Sequence, residues 1–528
     1  MPSIIICEKP SQVKAIQAAV GDRYGRFLAA QGHLLRLQEP GEANPAWKSW
    51  TNDILVPPDG VYAYVADDGD GKGRRLEAIG GALKTASRVI IASDCDREGQ
   101  VIGQSLIEYF GFTGEIMRAW WKTEDAKAFR QAFENLQPNA KYQPLYDSGY
   151  ARMQADQIFN LSMTRIATNQ LRPDGVKGAI GIGRVKTPTL GIVCKRELEI
   201  RNFVAREYFE IAADMAADAG QVTLWYRPRG ETRLFDKANA EAISAAVKAY
   251  RGPLRVTGEH KRAAPPKPFD QTALQKYAGK WGWSASKVLE VTQALYETHT
   301  LVTYPRSECR YLPENIAEEA APLLQALSSI DGYASIAPSS ATIRKGKSGT
   351  YSDAGMNGAP HHAIIPNINI ADEFASKYAA LGIDERRLFD AIAKAWLAAV
   401  APDHEYDETV MEVAVPAAGD TVALTARGRI VTKLGWKAVL SSTADDEEDD
   451  DGDQDATALP AIPDGTDVYA ADVRTMAKKT EPPVRYTDGE LPNVMKNAWK
   501  FVADPQEREL LKETSGIGTS ATRASIIE

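Results

Sequence analysis

The chain has 528 residues, with 62 Lys and Arg against 71 Asp and Glu, 44% hydrophobic and 25% charged. At about 100–200 residues per domain, that length implies roughly three to five domains. No apolar run nears the ~18 residues of a bilayer span, which excludes a membrane span, and the composition excludes a collagenous repeat and wholesale disorder. The net charge of −9 is concentrated in Asp445–Asp455, which holds nine acidic residues and no basic one; the remainder balances at 62 against 62. A local basic groove therefore remains compatible with the composition, because binding follows charge distribution. Four widely spaced cysteines, Cys7, Cys95, Cys194 and Cys309, form no CxxC pair, so neither a disulfide framework nor a zinc module is indicated. The start, MPSIIICEKP, lacks the basic region of a secretory signal, and a cytoplasmic protein is expected.

In chain order, SIIIC reads as a strand, EKPSQ as a loop, and Val13, Ile16 and Val20 as one helix face. The pattern recurs with RVIIAS, DCDREG and the helical spacing of Val101, Ile102, Leu106, Tyr109 and Phe110. Two such units predict a parallel α/β sheet with both polar loops at the carboxyl ends of its strands, where ligands gather. Residues 142–199 read as mainly helical, broken by the loop RPDGVKGAIGIGR. Residues 208–256 alternate as strands, as do segments after Tyr406, so the two pieces are expected to pair. Between them, Phe269 to about Val400 reads as helical, with a mobile loop expected at 341–360. The acidic stretch reads as a solvated insertion.

The strongest chemical signal is Asp94, Asp96 and Glu98 in SDCDREGQ. Carboxylates at i and i+2 of an extended segment point the same way, and a third at the next helix start can converge on them. Such an oxygen-rich site suits a hard cation such as Mg2+, with Glu8 available as a fourth acid. The same acids are also ordinary at helix N-termini, where they meet the macrodipole. The second signal is LVTYPRSEC, in which Tyr304 and Arg306 can face one side of an extended backbone. A phenol with its pKa near ~10 needs neighbouring positive charge to attack a phosphodiester, and Arg306 and Lys9 are candidates. Alone, the tripeptide also fits a packed tyrosine beside a surface arginine.

Eight segments in order, EKPSQ, SDCDREGQ, RMQADQIFNLSMTR, GIGRVKTPTLGIV, PFDQTALQ, LVTYPRSEC, PHHAIIP and GIGTSATRASIIE, resemble the motifs of type IA DNA topoisomerases, most closely the topoisomerase III branch. The resemblance implies a multidomain fold of α/β, helical and β-rich parts closing into a toroid. Its expected divisions are a Toprim α/β domain at 1–145, a helical DNA-binding base at 146–205 and 483–528, and a β-rich arch at 206–260 and 405–482 with the acidic insertion at 443–463. A helical domain at 261–404 would carry Tyr304. The resemblance further implies that Tyr304 is the nucleophile forming a 5'-phosphotyrosyl link, with Arg306, Glu8, Lys9 and His361 beside it. Glu8, Asp94, Asp96 and Glu98 match the Mg2+-binding acids. His33, Arg165 and the run Gly181, Ile182, Gly183, Arg184, Val185 and Lys186 match positions contacting single-stranded DNA. His362 is the neighbouring alternative to His361, and Trp120, Trp121 and Tyr150 are candidate base-stacking aromatics that also fit a core. Gln100, Lys186 and the Ser307–Glu308–Cys309 run depart from the family's usual residues.

The expected activity is ATP-independent cleavage of single-stranded DNA, passage of a strand or duplex, and religation, relaxing negatively supercoiled DNA or decatenating it. A monomer is expected, with a helicase as a candidate partner. Three alternatives are set against this. ATIRKGKS at 341–348 loosely matches a phosphate loop but lacks the preceding strand and first glycine. A Toprim nuclease or primase would have no use for Tyr304. A noncatalytic single-strand-binding protein would bind without nicking.

Overall fold

The protein is described here from a computed structural model covering residues 3–440 and 459–528, apart from 70, 358 and 418. Of the expected acidic insertion, residues 443–458 lie outside the described residues, while Ile462 is buried in the core of the large sheet.

The amino-terminal part is built on a five-stranded sheet in the order Arg26–Ala29, Ser3–Cys7, Arg88–Ala92, Glu115–Arg118, Gln137–Pro138. The first four strands are parallel and the last is antiparallel. Because successive side chains alternate faces, Ile4, Ile6, Val89 and Ile91 enter one hydrophobic cluster, and Ile5, Cys7, Ile90 and Ala92 enter the other. Burial on both faces explains why SIIIC and RVIIA are continuous apolar runs rather than alternating ones. Cys7 is in register with Ala92, so the loops bearing Glu8–Lys9 and Asp94–Asp96 leave the sheet side by side. Asp96 caps the helix Arg97–Tyr109 by accepting the Gly99 N–H at 2.8 Å. Gly99 is required by the turn's tightness: a Cβ there would sit 2.2 Å from the Asp94 carbonyl oxygen.

Pro10 at the first turn starts the helix Pro10–Val20, and the 29-residue helix Gln143–Leu171 packs on Arg97–Tyr109. Close packing there relies on Gly149, where a Cβ would lie 2.4 Å from a Val101 methyl. A second helix, Lys186–Arg201, leads into a seven-stranded antiparallel sheet. Its order is Arg251–Pro253, Asp467–Lys479, Glu207–Ala217, Gly220–Tyr226, Asp420–Lys433, His404–Ala417, Arg255–Ala263, so chain pieces about 200 residues apart in sequence interleave in one sheet. The strand-like reading of 208–256 missed the helix Lys237–Ala249, which buries Ala240, Ile243 and Val247 against that sheet and is capped by Asp236. The Asp cap and this i, i+3, i+7 spacing were its signal.

Between the two pieces lies the lobe bearing Tyr304, whose core gathers helix Ile383–Ala399 around Trp396 with helices Gln271–Gly279, Ala285–Glu297 and Ala320–Ser328. The segment 341–360 differs from the mobile loop expected. Tyr351 is buried at 2% exposure, Thr342 N–H donates to the Val400 carbonyl, and Arg344 pairs with Asp403 at 2.6 Å. Those commitments, with no strand feeding a helix, also remove the phosphate-loop reading of 341–348.

Candidate active site at the seam of two lobes

Tyr304 meets the acidic loop of the first sheet directly. Its hydroxyl donates to Asp96 Oδ2 at 2.7 Å, although 208 residues separate them. The ring is 4% exposed; it stacks on His361 at 4.0 Å and 22°, and takes Tyr296 edge-on at 5.6 Å. The stack continues across the seam: His361 faces Trp120 at 6.0 Å and 17°, and Trp120 lies on Tyr142 at 4.8 Å and 13°. His361 Nε2 also hydrogen-bonds the Cys95 carbonyl, while its Nδ1 is buried without a partner. Burial holds the His361 imidazole down to about 4, so it is neutral at physiological pH. His362 turns away to the Ala363 carbonyl and is held to about 3 by the same cause.

Burial pushes the Tyr304 hydroxyl well above its ordinary range, and the Asp96 and Asp94 charges push it further while Arg306 opposes them. No phenolate is preformed. Arg306 donates to Gln293 Oε1 at 3.2 Å, and its Nε is buried without a partner. Lys9 lies 2.9 Å from Glu297 and 3.5 Å from Asp94. Burial works against its charge, but Asp94 and the Glu297 hydrogen bond outweigh that and hold its pKa above the ordinary lysine value. Gln12 bridges Asp94 and Glu124, and burial raises Glu124 to about 8.

Residues 140–528 match the family model described as DNA topoisomerase, and residues 3–132 match the model for a Toprim domain. The chain belongs to the type IA DNA topoisomerases. A protein named DNA topoisomerase 3 from Bacillus subtilis is 33% identical over 550 residues, covering 100% of this chain and 72% of that protein. Another of that name from Salmonella typhimurium is 31% identical over 556 residues, covering 99% and 82%. The solved structure of full-length topoisomerase I from Thermotoga maritima superposes with a TM-score of 0.68 at 23% identity, covering 99% of this chain and 77% of that one. The fold is therefore the type IA toroid, with the Toprim sheet, the helical parts and the large antiparallel sheet in one ring.

A Toprim domain is a metal-binding domain, and the acids of this topoisomerase fit a cation electrostatically. Glu8 Oε2 is buried with no partner, and burial followed by the Asp94 charge raises Glu8 to about 7. Burial likewise raises Asp94, with Asp96 adding to the shift. Carboxylates that suppress one another's ionisation in this way are the environment a divalent cation relieves. The expected convergence of three acids is not seen, however, since among the described residues no three His, Cys, Asp or Glu side chains form a ligand set. Each acid takes a different protein donor: Asp94 is held by Gln12 and Lys9, Asp96 by Tyr304, and Glu98 by His33 at 2.6 Å. The His33 hydrogen bond keeps Glu98 below the usual carboxylate range.

The structure thus brings Glu8, Lys9, Asp94, Asp96, Tyr304, Arg306 and His361 together, with Glu98 and His33 paired alongside. The run 181–186 lies on the helix Gln143–Leu171, where Thr164 Oγ1 accepts the Ile182 N–H at 2.9 Å. Gly181, Arg184 and Lys186 are exposed, Ile182 and Gly183 half-buried, and Val185 buried; Arg184 pairs with Asp156 at 2.8 Å. Arg165 is not on that surface. It is 8% exposed, and its guanidinium is bonded to the Trp47 carbonyl at 2.7 Å. Trp121 is core, and Tyr150 stacks on Tyr146 at 6.0 Å.

Sequence reasoning missed Arg118, Glu297 and the Trp120–Tyr142 half of the stack. Arg118, fully buried, donates to the carbonyls of Ile91, Ser93, Asp94 and Ala119 and to Gln100 Oε1, so it shapes the acidic loop. Gln100, where an acid is usual, is a neutral member of that network with Gln104 and Asn139. Of the other departures, Glu308 accepts from Ser520 N–H at 2.9 Å and lies 3.4 Å from Arg523, joining the carboxyl-terminal segment to the tyrosine loop.

Proposed function

We propose that this type IA topoisomerase cleaves single-stranded DNA at the seam, with Tyr304 as nucleophile. The observation that carries the proposal is the Tyr304 hydroxyl aimed at Asp96, with the Arg306 charge acting on that phenol and Lys9 3.5 Å from the neighbouring Asp94. In the forward step the Tyr304 oxygen bonds phosphorus as its proton passes to Asp96, and the bond from phosphorus to the 3'-oxygen breaks. Glu8, raised to about 7, is protonated in an appreciable fraction at neutral pH and supplies a proton to the leaving 3'-oxygen. Arg306 and Lys9 balance the charge gathering on the phosphoryl oxygens. Neutral His361 packs against the ring and donates no charge. An aryl phosphodiester replaces an alkyl one, so reversal by the 3'-hydroxyl needs no nucleotide hydrolysis.

Asp94 and Asp96 would hold Mg2+, which takes one or two carboxylates from a protein and when bound supplies positive charge for the phosphate and the 3'-end, leaving Glu8 beside them as the proton donor. The exposed cations Arg184 and Lys186 would track phosphates of the single strand. The seam contacts would separate to pass DNA: Tyr304 to Asp96, His361 to Cys95, Lys9 to Glu297, and the two amides of Asn367 and Asn369, which both lie 3.2 Å from Asp125 Oδ2. We further propose that the protein is a cytoplasmic, nucleoid-associated monomer acting on negatively supercoiled or catenated DNA, with a helicase partner supplying single strands. Relaxation assays test this reading. The wild type with magnesium and without ATP should relax negatively supercoiled plasmid; Tyr304→Phe should not, and full relaxation by that variant would refute the assignment.

A further inference from the structure

The three residues that follow Pro305 are pinned one by one, by groups remote in the chain. Ser520 Oγ donates to the Arg306 carbonyl at 2.7 Å, the Gln271 N–H donates to the Ser307 carbonyl at 2.9 Å, and Glu308 Oε1 accepts the Ser520 N–H at 2.9 Å. Ser520 is only 6% exposed, so neither of its bonds competes with bulk water. One residue of the carboxyl-terminal segment thus holds two residues of the tyrosine loop, the first by its main chain and the second by its side chain.

Ser520 itself sits on a fixed mount. Arg523, fully buried, donates to the carbonyls of Ser515 at 2.7 Å, Ile517 at 3.0 Å and Gly518 at 3.1 Å, which ties the turn just before Ser520 into one shape, and it lies 3.4 Å from Glu308. Lys496 adds an ion pair to Asp270 at 2.5 Å, and Asp270 caps the helix Gln271–Gly279 whose first N–H holds Ser307. Buried groups paired in this way let the loop slide little, since each lost bond would leave a polar atom dry. Arg306 depends on that mount. Its guanidinium donates to Gln293 Oε1 at 3.2 Å and its Nε is buried without a partner, so donors remain for a phosphate while the backbone decides where they point.

We propose that Ser520 is a positioning residue for cleavage: by holding the Arg306 carbonyl and the Glu308 carboxylate together, it sets where the Arg306 guanidinium meets the phosphate that Tyr304 attacks. The proposal rests on the Tyr304 reading and adds to it a residue of the carboxyl-terminal segment that acts only through the tyrosine loop. It also gives the departure at Glu308 a use, as the acceptor that fixes Ser520 in turn.

Ser520→Ala deletes the hydroxyl and keeps the N–H that bonds Glu308, whereas Ser520→Thr keeps both. Each variant, in excess over an end-labelled oligonucleotide with magnesium, would be followed for the single-turnover rate of covalent adduct formation, and its affinity for the same oligonucleotide measured by anisotropy. For Ser520→Ala the rate should fall by about 10- to 100-fold, the scale of a catalytic group displaced by up to ~1 Å, while affinity stays at the wild-type value. Ser520→Thr should cleave nearly as fast as wild type. A wild-type rate in Ser520→Ala overturns the positioning role alone. A fall in rate matched by a fall in affinity, or one equally large in Ser520→Thr, overturns it too, by tracing the loss to a disturbed turn. A wild type that forms no adduct overturns the Tyr304 reading and the positioning role together.

Discussion

Replacing Trp120 with alanine removes the ring on which His361 lies when the two lobes are closed. Trp120 makes two ring contacts, but that with Tyr142 stays within one side of the seam, and only the His361 contact at 6.0 Å crosses it. The closed state therefore loses one aromatic pair that the open state never had, about 0.5–1.5 kcal/mol. That moves the closed–open equilibrium of the cleaved complex toward open by roughly 2- to 12-fold. His361 and Tyr304 are stacked on each other at 4.0 Å and leave together, so the phosphotyrosine spends more time away from the 3'-end. On a labelled oligonucleotide with magnesium, the ratio of covalent adduct to intact strand should rise by the same roughly 2- to 12-fold factor, and religation after a salt jump should slow, with oligonucleotide affinity unchanged. Trp120→Phe should restore most of the difference, which separates stacking from general loss of stability. An adduct ratio identical to wild type would refute the idea that this stack registers the closed gate.

Other consequences are equally direct. Glu8, at about 7 in the folded protein against 4.5 as an ordinary side chain, costs stability as pH rises from the lower value to the upper, because the unfolded chain releases the proton first. Denaturant midpoints at pH 5 and pH 8 should therefore fall further for wild type than for Glu8→Gln, by at most about 3 kcal/mol, and magnesium should offset the loss in wild type only. Equal pH dependence in the two proteins would contradict the buried-acid account. Gly99→Ala would place a methyl 2.2 Å from the Asp94 carbonyl oxygen, so the acidic turn must shift; lost cleavage and a lowered unfolding midpoint are expected, while a fully active variant would show that the turn tolerates a side chain. Arg184→Ala and Lys186→Ala should each lower the salt slope of oligonucleotide binding by about one, whereas Arg165→Ala should lower stability. Unchanged slopes in the first two would remove the segment 181–186 from the DNA path.

Much of this was legible in the sequence because it rests on local rules. SIIIC and RVIIA declare buried parallel strands, and the acids that follow them must then emerge together at one sheet edge. Tyr304 and Arg306 are two positions apart in the chain, so pairing them as candidates needs no tertiary knowledge. The helix Lys237–Ala249 was missed because its alanine-rich face sits between strands whose alternation dominated the reading. The stack of Tyr304, His361, Trp120 and Tyr142 was not legible, because no periodicity links rings more than 200 residues apart that meet only when two lobes close. Arg165 shows the opposite limit: its motif matches a DNA-contacting pattern, yet its guanidinium is turned inward to backbone carbonyls.

The most direct test of the central claim is to locate the covalent bond. An oligonucleotide cleaved in the presence of the protein, trapped by denaturation and digested with trypsin, should yield one DNA-linked peptide containing Tyr304, attached through its phenolic oxygen to the 5'-phosphate of the downstream fragment. The upstream fragment should carry a free 3'-hydroxyl. Attachment at another residue, linkage to a 3'-phosphate, or cleavage by Tyr304→Phe with an unattached 5'-phosphate would contradict the account.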